Sequence, residues 1–130
     1  MLYQFHSQEF SQILPIQLWM FGVNHLQEPV RRPQGVPYFQ WFYCVKGQGE
    51  LILNNQRSVI TKGQGFLIYP DQEHIYQAIS NDWTLHIAAF NGPLCVEILT
   101  LLQMGQSGAY HFSDNSVFEQ HIQKLLWLYE

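Results

Sequence analysis

The chain has 130 residues, 47% apolar and 15% aromatic but only 12% charged, which suits one domain with its own core and excludes a disordered segment. Six Lys and Arg against ten Asp and Glu give a formal charge of −4, which excludes a broad basic surface for nucleic acid. No apolar run approaches the roughly 20 residues of a membrane span and residues 1–12 lack a signal peptide's apolar stretch, so the reading is a soluble cytoplasmic protein with no membrane partner.

Residues 1–12 are polar with scattered aromatics and read as an N-terminal arm. Strand material runs from Ile13 to Val23, with Ile16, Leu18 and Met20 on one face and Gln17, Trp19 and Phe21 on the other; Gly22 marks a bulge or bend. Residues 24–37 read as a connecting segment broken by Pro29, Pro33, Gly35 and Pro37. The next strand, 38–45, is aromatic on both faces, Phe39, Trp41 and Tyr43 against Tyr38, Phe42 and Cys44, so alternation leaves open which face lines a pocket. Gly47-Gln48-Gly49 turns the chain into Glu50-Leu51-Ile52-Leu53. Asn54-Asn55 then makes a hairpin to residues 57–61, because asparagine tolerates left-handed backbone.

The stretch from Gly63 to Tyr76 organises the rest of the chain. Glycines at 63 and 65 permit a sharp connection, and Phe66-Leu67-Ile68-Tyr69 is apolar throughout, as in a strand buried on both sides. Pro70 ends that strand and a Pro-Asp turn leads into another. Period two there puts His74, Tyr76 and Ala78 on one face, an imidazole beside a phenol, as in the wall of a pocket. The last long strand, Trp83 to Phe90, carries Trp83, Leu85, Ile87 and Ala89 on one face and stops at Asn91-Gly92-Pro93. Pro93 suits a first helical residue, Leu94, Ile98, Leu101 and Leu102 repeat at helical spacing, and Gly105 to Gly108 ends that helix. Tyr110-His111-Phe112 adds a short edge strand. Ser116 and Glu119 form a capping box ahead of a stripe of Phe118, Ile122, Leu125, Leu126 and Tyr129. That stripe is still running at Glu130 without a C-cap, so the sequence reads as a truncated piece or as the end of a longer helical linker. Cys44 and Cys95 lie in apolar surroundings without CxxC spacing and read as reduced core residues, with a disulfide as the alternative.

Three stretches together carry a resemblance. Gly63-Gln64-Gly65, four apolar residues, Pro70 and His74 resemble the second motif of the cupin barrels. Arg32-Pro33-Gln34-Gly35 with Val45-Lys46-Gly47-Gln48-Gly49 resembles the first barrel strand of AraC/XylS-type transcription regulators. Residues 82–93, from Asp82-Trp83 to Phe90-Asn91-Gly92, resemble the Trp…Phe-x-Gly signature that closes their barrel. The resemblance covers roughly residues 18–95 and implies a mainly β fold, a cupin-type jelly-roll β-barrel followed by C-terminal α-helices. The implied organisation is an arm at 1–12, a ligand-binding barrel at 13–92 and a helical dimerisation and linker region at 93–130. The helix-turn-helix DNA-binding domain of such regulators lies outside this chain.

Metal-binding cupins use a His-x-His and a Glu of the first motif together with the second-motif His. Here the matching strand reads Phe39-Gln40-Trp41-Phe42 and His74 alone survives, so neither metal nor cofactor is expected. Arg32 stands where the sugar-binding relatives place a ligand arginine; its five donors suit hydroxyls or a carboxylate, and a surface arginine beside Arg31 is the ordinary alternative. His74 and Tyr76 either meet a polar ligand or satisfy each other. Leu85 and Ile87 match ligand-contacting positions of the arabinose sensor and make a less polar wall, while Trp41 and Trp83 either stack on a sugar face or fill the core. The leading reading is a non-enzymatic sensor. It binds a small-molecule effector such as a sugar through Arg32, His74, Tyr76, Trp83, Leu85, Ile87 and Trp41, forms a homodimer, and reaches DNA only through the missing domain. A metal-free isomerase or epimerase using His74 and Tyr76 as acid and base, or a scaffold with a filled barrel, are the alternatives.

Overall fold

The computed structural model describes residues 2–4, 14–111, 120, 121, 123, 124, 127 and 128. Among them the strands are β1 (Leu2–Gln4), β2 (Gln17–Leu26), β3 (Val30–Arg32), β4 (Phe39–Lys46), β5 (Gln48–Leu53), β6 (Gln56–Thr61), β7 (Gln64–Ile68), β8 (His74–Ala78), β9 (Thr84–Asn91) and β10 (Gly108–His111), with one helix, α1 (Cys95–Leu101). They pair antiparallel into a six-stranded sheet, β1-β2-β9-β4-β7-β10, and a four-stranded sheet, β3-β8-β5-β6. The fold is the expected mainly β, cupin-type jelly roll; the helical part is small.

Alternation on each strand decides the layers. On β4, Phe42 and Cys44 turn inward and meet Leu51, Ile60, Phe66, Ile68, Tyr76, Trp83, Leu85 and Ile87 between the sheets. Phe39 and Trp41 turn outward, where Leu67, Cys95 and Leu99 form a second cluster under α1. β7 feeds both clusters, Phe66 and Ile68 inward and Leu67 outward, which is why its sequence is apolar throughout. Each large side chain fully buried in this way contributes about 1.5–3 kcal/mol. The β5–β6 hairpin turns on Asn54 (φ 51°) and Asn55 (φ 62°), both left-handed. The pairing of β2 with β9 shifts register between Gly22 and His25, the irregularity expected at that glycine.

Several boundaries differ from the sequence reading. The supposed connecting segment holds β3, three residues that pair with β8 and put Arg32 opposite His74. β2 starts at Gln17 and extends three residues past Val23. Within residues 1–12, Leu2–Gln4 pairs with β2 at the sheet edge. α1 begins at Cys95 and stops at Leu101, with Gln103 taking the left-handed conformation (φ 61°) before the glycines are reached. It buries Cys95 and Leu99 rather than the Leu94, Leu101 and Leu102 stripe, all three of which are exposed. The edge strand expected at Tyr110-His111-Phe112 is β10, which starts two residues earlier, at Gly108, and pairs with β7; Phe112 lies outside the described residues. The capping box at Ser116 and Glu119 and the stripe of Phe118, Ile122, Leu125, Leu126 and Tyr129 lie outside the described residues; those described between 120 and 128 are helical.

Candidate ligand-binding site at the barrel mouth

The Arg-Pro-Gln-Gly stretch and the Pro-Asp turn meet at one end of the barrel. Gly35 accepts a positive φ of 67° and donates its N–H to the Arg32 carbonyl (3.1 Å), closing a turn at the end of β3. A Cβ at position 35 would lie 2.6 Å from the backbone N and O of Gln72, so only glycine lets the two segments touch. Asp71, also left-handed (φ 62°), donates its N–H to the Val36 carbonyl at 2.7 Å. This docking holds β3 beside β8, with Arg32 in register with His74 and Val30 with Tyr76.

Three of the expected site residues converge there. Arg32 Nη1 lies 3.1 Å from His74 Nε2 and donates to Tyr76 Oη at 3.1 Å, and its guanidinium carbon sits 5.8 Å from the centre of the Tyr76 ring. The His74 and Tyr76 rings stack 5.7 Å apart. His74 Nδ1 is 2.9 Å from the Gln72 carbonyl. A carbonyl only accepts and a guanidinium only donates, so the imidazole carries its proton on Nδ1 and presents the Nε2 lone pair to Arg32. Burial, reinforced by the Arg32 charge and opposed by the Gln72 hydrogen bond, holds the His74 pKa below its ordinary value. Burial likewise raises the Tyr76 phenol, against the pull of Arg32. Arg32 thus rests on two neutral groups, and no carboxylate lies within ion-pair distance of it among the described residues. Arg31 points away to solvent, which assigns the inward role to Arg32.

His74 offers little to a metal, because the nitrogen that would bind it faces a cation. Among the described residues no three His, Cys, Asp or Glu side chains gather in a ligand cluster. Cys44 and Cys95 are free and buried, in the inner and outer clusters respectively.

The other expected residues are placed differently. Leu85 and Ile87 belong to the inner core together with Trp83, which is 0% exposed. The Trp83 indole lies flat on Gly49, where an added Cβ would overlap three of its ring atoms. Trp41 faces away from His74 and Tyr76, on the outer side of the large sheet, where it covers Gly65. Period two explains this: Phe42, its neighbour, is the residue that touches Tyr76, at 4.9 Å.

A cavity of about 210 Å³ lies against the inner ends of β5 and β6, lined by Leu51, Leu53, Gln56, Ser58, Gln72 and Gln106 among others. It falls below the roughly 300–1,000 Å³ of drug-sized sites, so it suits small molecules. Gln72 joins the two regions, lining the cavity while its carbonyl holds His74. Gln56 and Ser58 escaped the sequence reading, although counting by twos from the buried Ile60 puts both on the inward face of β6.

Comparison with known proteins bears on the family and the fold. The family of AraC-like ligand binding domains matches residues 22–129. The fold is similar to that of ToxT from Vibrio cholerae O395, at 13% identity over 85% of this chain and 45% of that one, with a TM-score of 0.56. It is also similar to the protein YhaK from Escherichia coli, at 12% identity over 73% of this chain and 45% of that one, with a TM-score of 0.53. A second crystal form of ToxT gives 13% identity, 84% and 48% coverage and a TM-score of 0.55, so the chain spans about half the length of these structures. No curated protein matches the sequence. With more than half its length matched, the chain belongs to the AraC-like ligand binding domain family.

Proposed function

We propose that this chain is the effector-sensing and dimerisation domain of an AraC-like transcription regulator, which binds a small polar metabolite, a sugar or a similar compound, at the barrel mouth. The observation that carries this reading is Arg32, a half-buried guanidinium held in place by neutral His74 and Tyr76 and left without a carboxylate. A cation positioned so carefully and not neutralised is poised for an outside acceptor. Catalysis fits less well: both imidazole nitrogens of His74 are already engaged, so the ring is a fixed positioning element rather than a proton shuttle.

With six basic residues, the domain itself does not contact DNA; that role falls to a helix-turn-helix domain outside the chain, in the cytoplasm. Leu101, Trp127 and Leu128, exposed by 83%, 80% and 66%, favour a homodimer through the C-terminal region. The organisation is accordingly an arm at 1–12, the barrel at 13–92 and the dimerisation region at 93–130.

Native mass spectrometry of the protein with a metabolite panel tests the sensor reading. A compound retained unchanged by the parent should bind Arg32→Ala roughly 10- to 150-fold more weakly, the range for losing a charge-assisted hydrogen bond of about 1.5–3 kcal/mol. Turnover of a panel compound, or equal binding by Arg32→Ala, refutes it.

A further inference from the structure

Gln40 is a polar residue in an otherwise aromatic strand, flanked by Phe39 and Trp41. It shares the inward face of β4 with Phe42 and Cys44, is 3% exposed, and its buried Oε1 has no hydrogen-bond partner. Leaving such an acceptor unpaired in a barrel interior is costly, and a buried orphan beside a candidate site points to a donor that arrives from outside the chain.

Its level in the barrel follows from the contacts around it. Phe42 on the large sheet touches Tyr76 on the small one at 4.9 Å. Beyond that contact toward one end, Cys44 pairs with Leu85, while Trp83 covers Gly49, which pairs with Ala78. Two residues toward the other end stand Gln40 on β4 and His74 on β8, with Arg32 in register with His74. That end is also where Asn91 Nδ2 donates to the Pro37 carbonyl and Asp71 N–H to the Val36 carbonyl. Gln40 therefore shares the barrel's mouth layer with Arg32 and His74.

The two unsatisfied groups have complementary demands. A guanidinium resting on neutral partners takes an anion, and a lone carboxamide oxygen takes a hydrogen-bond donor. A neutral sugar can hydrogen-bond both groups but brings no charge to the guanidinium, and a plain fatty carboxylate brings the charge but no donor for the carboxamide oxygen.

We propose that the effector is a small hydroxycarboxylic acid, its carboxylate bound by Arg32 and a hydroxyl donating to Gln40 Oε1, with Gln40 selecting for that hydroxyl. This rests on the reading of the barrel mouth as the effector site.

The test is isothermal titration of the full chain with gluconate and galacturonate, with galactose and sorbitol, and with hexanoate, at pH 7.5. Gluconate or galacturonate should bind at least about tenfold more tightly than the neutral polyols, which offer Arg32 no charge, and than hexanoate, which offers Gln40 no donor. Gln40→Leu should erase the advantage over hexanoate while leaving hexanoate binding unchanged, and Arg32→Ala should weaken every carboxylate. Gln40→Leu removes an unpaired buried oxygen, so its melting temperature should hold or rise, which separates a lost contact from lost folding. If neutral polyols bind best and in an Arg32-dependent way, the hydroxycarboxylate proposal falls while the effector site stands. Failure of both hydroxycarboxylates to bind at 10 mM, or Gln40→Leu binding them as the parent does, also overturns the proposal. If retained compounds from the wider panel ignore Arg32→Ala, the effector site itself falls.

Discussion

Whether Trp83 is a stacking platform or a structural plate can be decided by substituting its partner, Gly49. The Trp83 indole is fully buried, 6.2 Å from the Phe66 ring and flat on the Gly49 backbone, so a Cβ there would overlap three ring atoms. The clash is with a rigid ring in a filled core rather than with a flexible tip. Gly49→Ala should therefore destabilise by about 1–3 kcal/mol, the ordinary cost of overpacking. Position 49 has no left-handed backbone to strain. With the ring gone, the same change should instead stabilise by about 0.4–1 kcal/mol through the unfolded chain. In a Trp83→Leu background the sign of Gly49→Ala should thus reverse, giving a coupling of at least about 1.4 kcal/mol in a double-mutant cycle. Urea unfolding of the four proteins, read by circular dichroism, measures it. An equal effect of Gly49→Ala in both backgrounds would show that Trp83 does not rest on Gly49 and would refute the reasoning.

Three further outcomes are expected. Folded His74 stays neutral because burial and then Arg32 depress its pKa, whereas the unfolded residue returns to about 6.5, so stability is complete above that pH and falls below it by up to about 1.4 kcal/mol per unit. His74→Gln should flatten this acid limb, as urea midpoints at pH 7.5 and 5.5 will register. Gly35→Ala, which meets both a positive φ and the Gln72 backbone, should cost about 2 kcal/mol or more and weaken effector binding by loosening β3, checked by denaturation and calorimetry. Burial raises the pKa of both Cys44 and Cys95, so Ellman's reagent should label the native protein far more slowly than the protein in 8 M urea, where both thiols react.

Much of the barrel was legible because its strands obey local rules. Period two put His74 and Tyr76 on one face, and paired asparagines marked the β5–β6 turn. The strand β3 was not legible: three residues among prolines carry no periodicity, and their extended form comes from pairing with β8. The helix face was misleading for a related reason. Leu94, Ile98, Leu101 and Leu102 make a fair stripe, yet Cys95 and Leu99 make the narrower one that packs with Phe39 and Leu67.

The site divides along the same line. Arg32, His74 and Tyr76 could be nominated from residue type and motif, but Arg32 could be told from Arg31 only by the β3–β8 register. For Trp41 and Trp83 the sequence leaves stacking on a sugar face and filling the core as alternatives, and their packing is visible only in the fold. Each lies on a glycine of another strand, Gly65 or Gly49, so large aromatic and missing side chain form one packing unit. Groups left unmatched after folding are the informative ones, and two of them at the barrel mouth are the Arg32 guanidinium without a carboxylate and the Gln40 oxygen without a donor. The sequence supplies both residues, but only the assembled barrel reveals that their partners are missing, because an unmet hydrogen bond is a property of the whole neighbourhood.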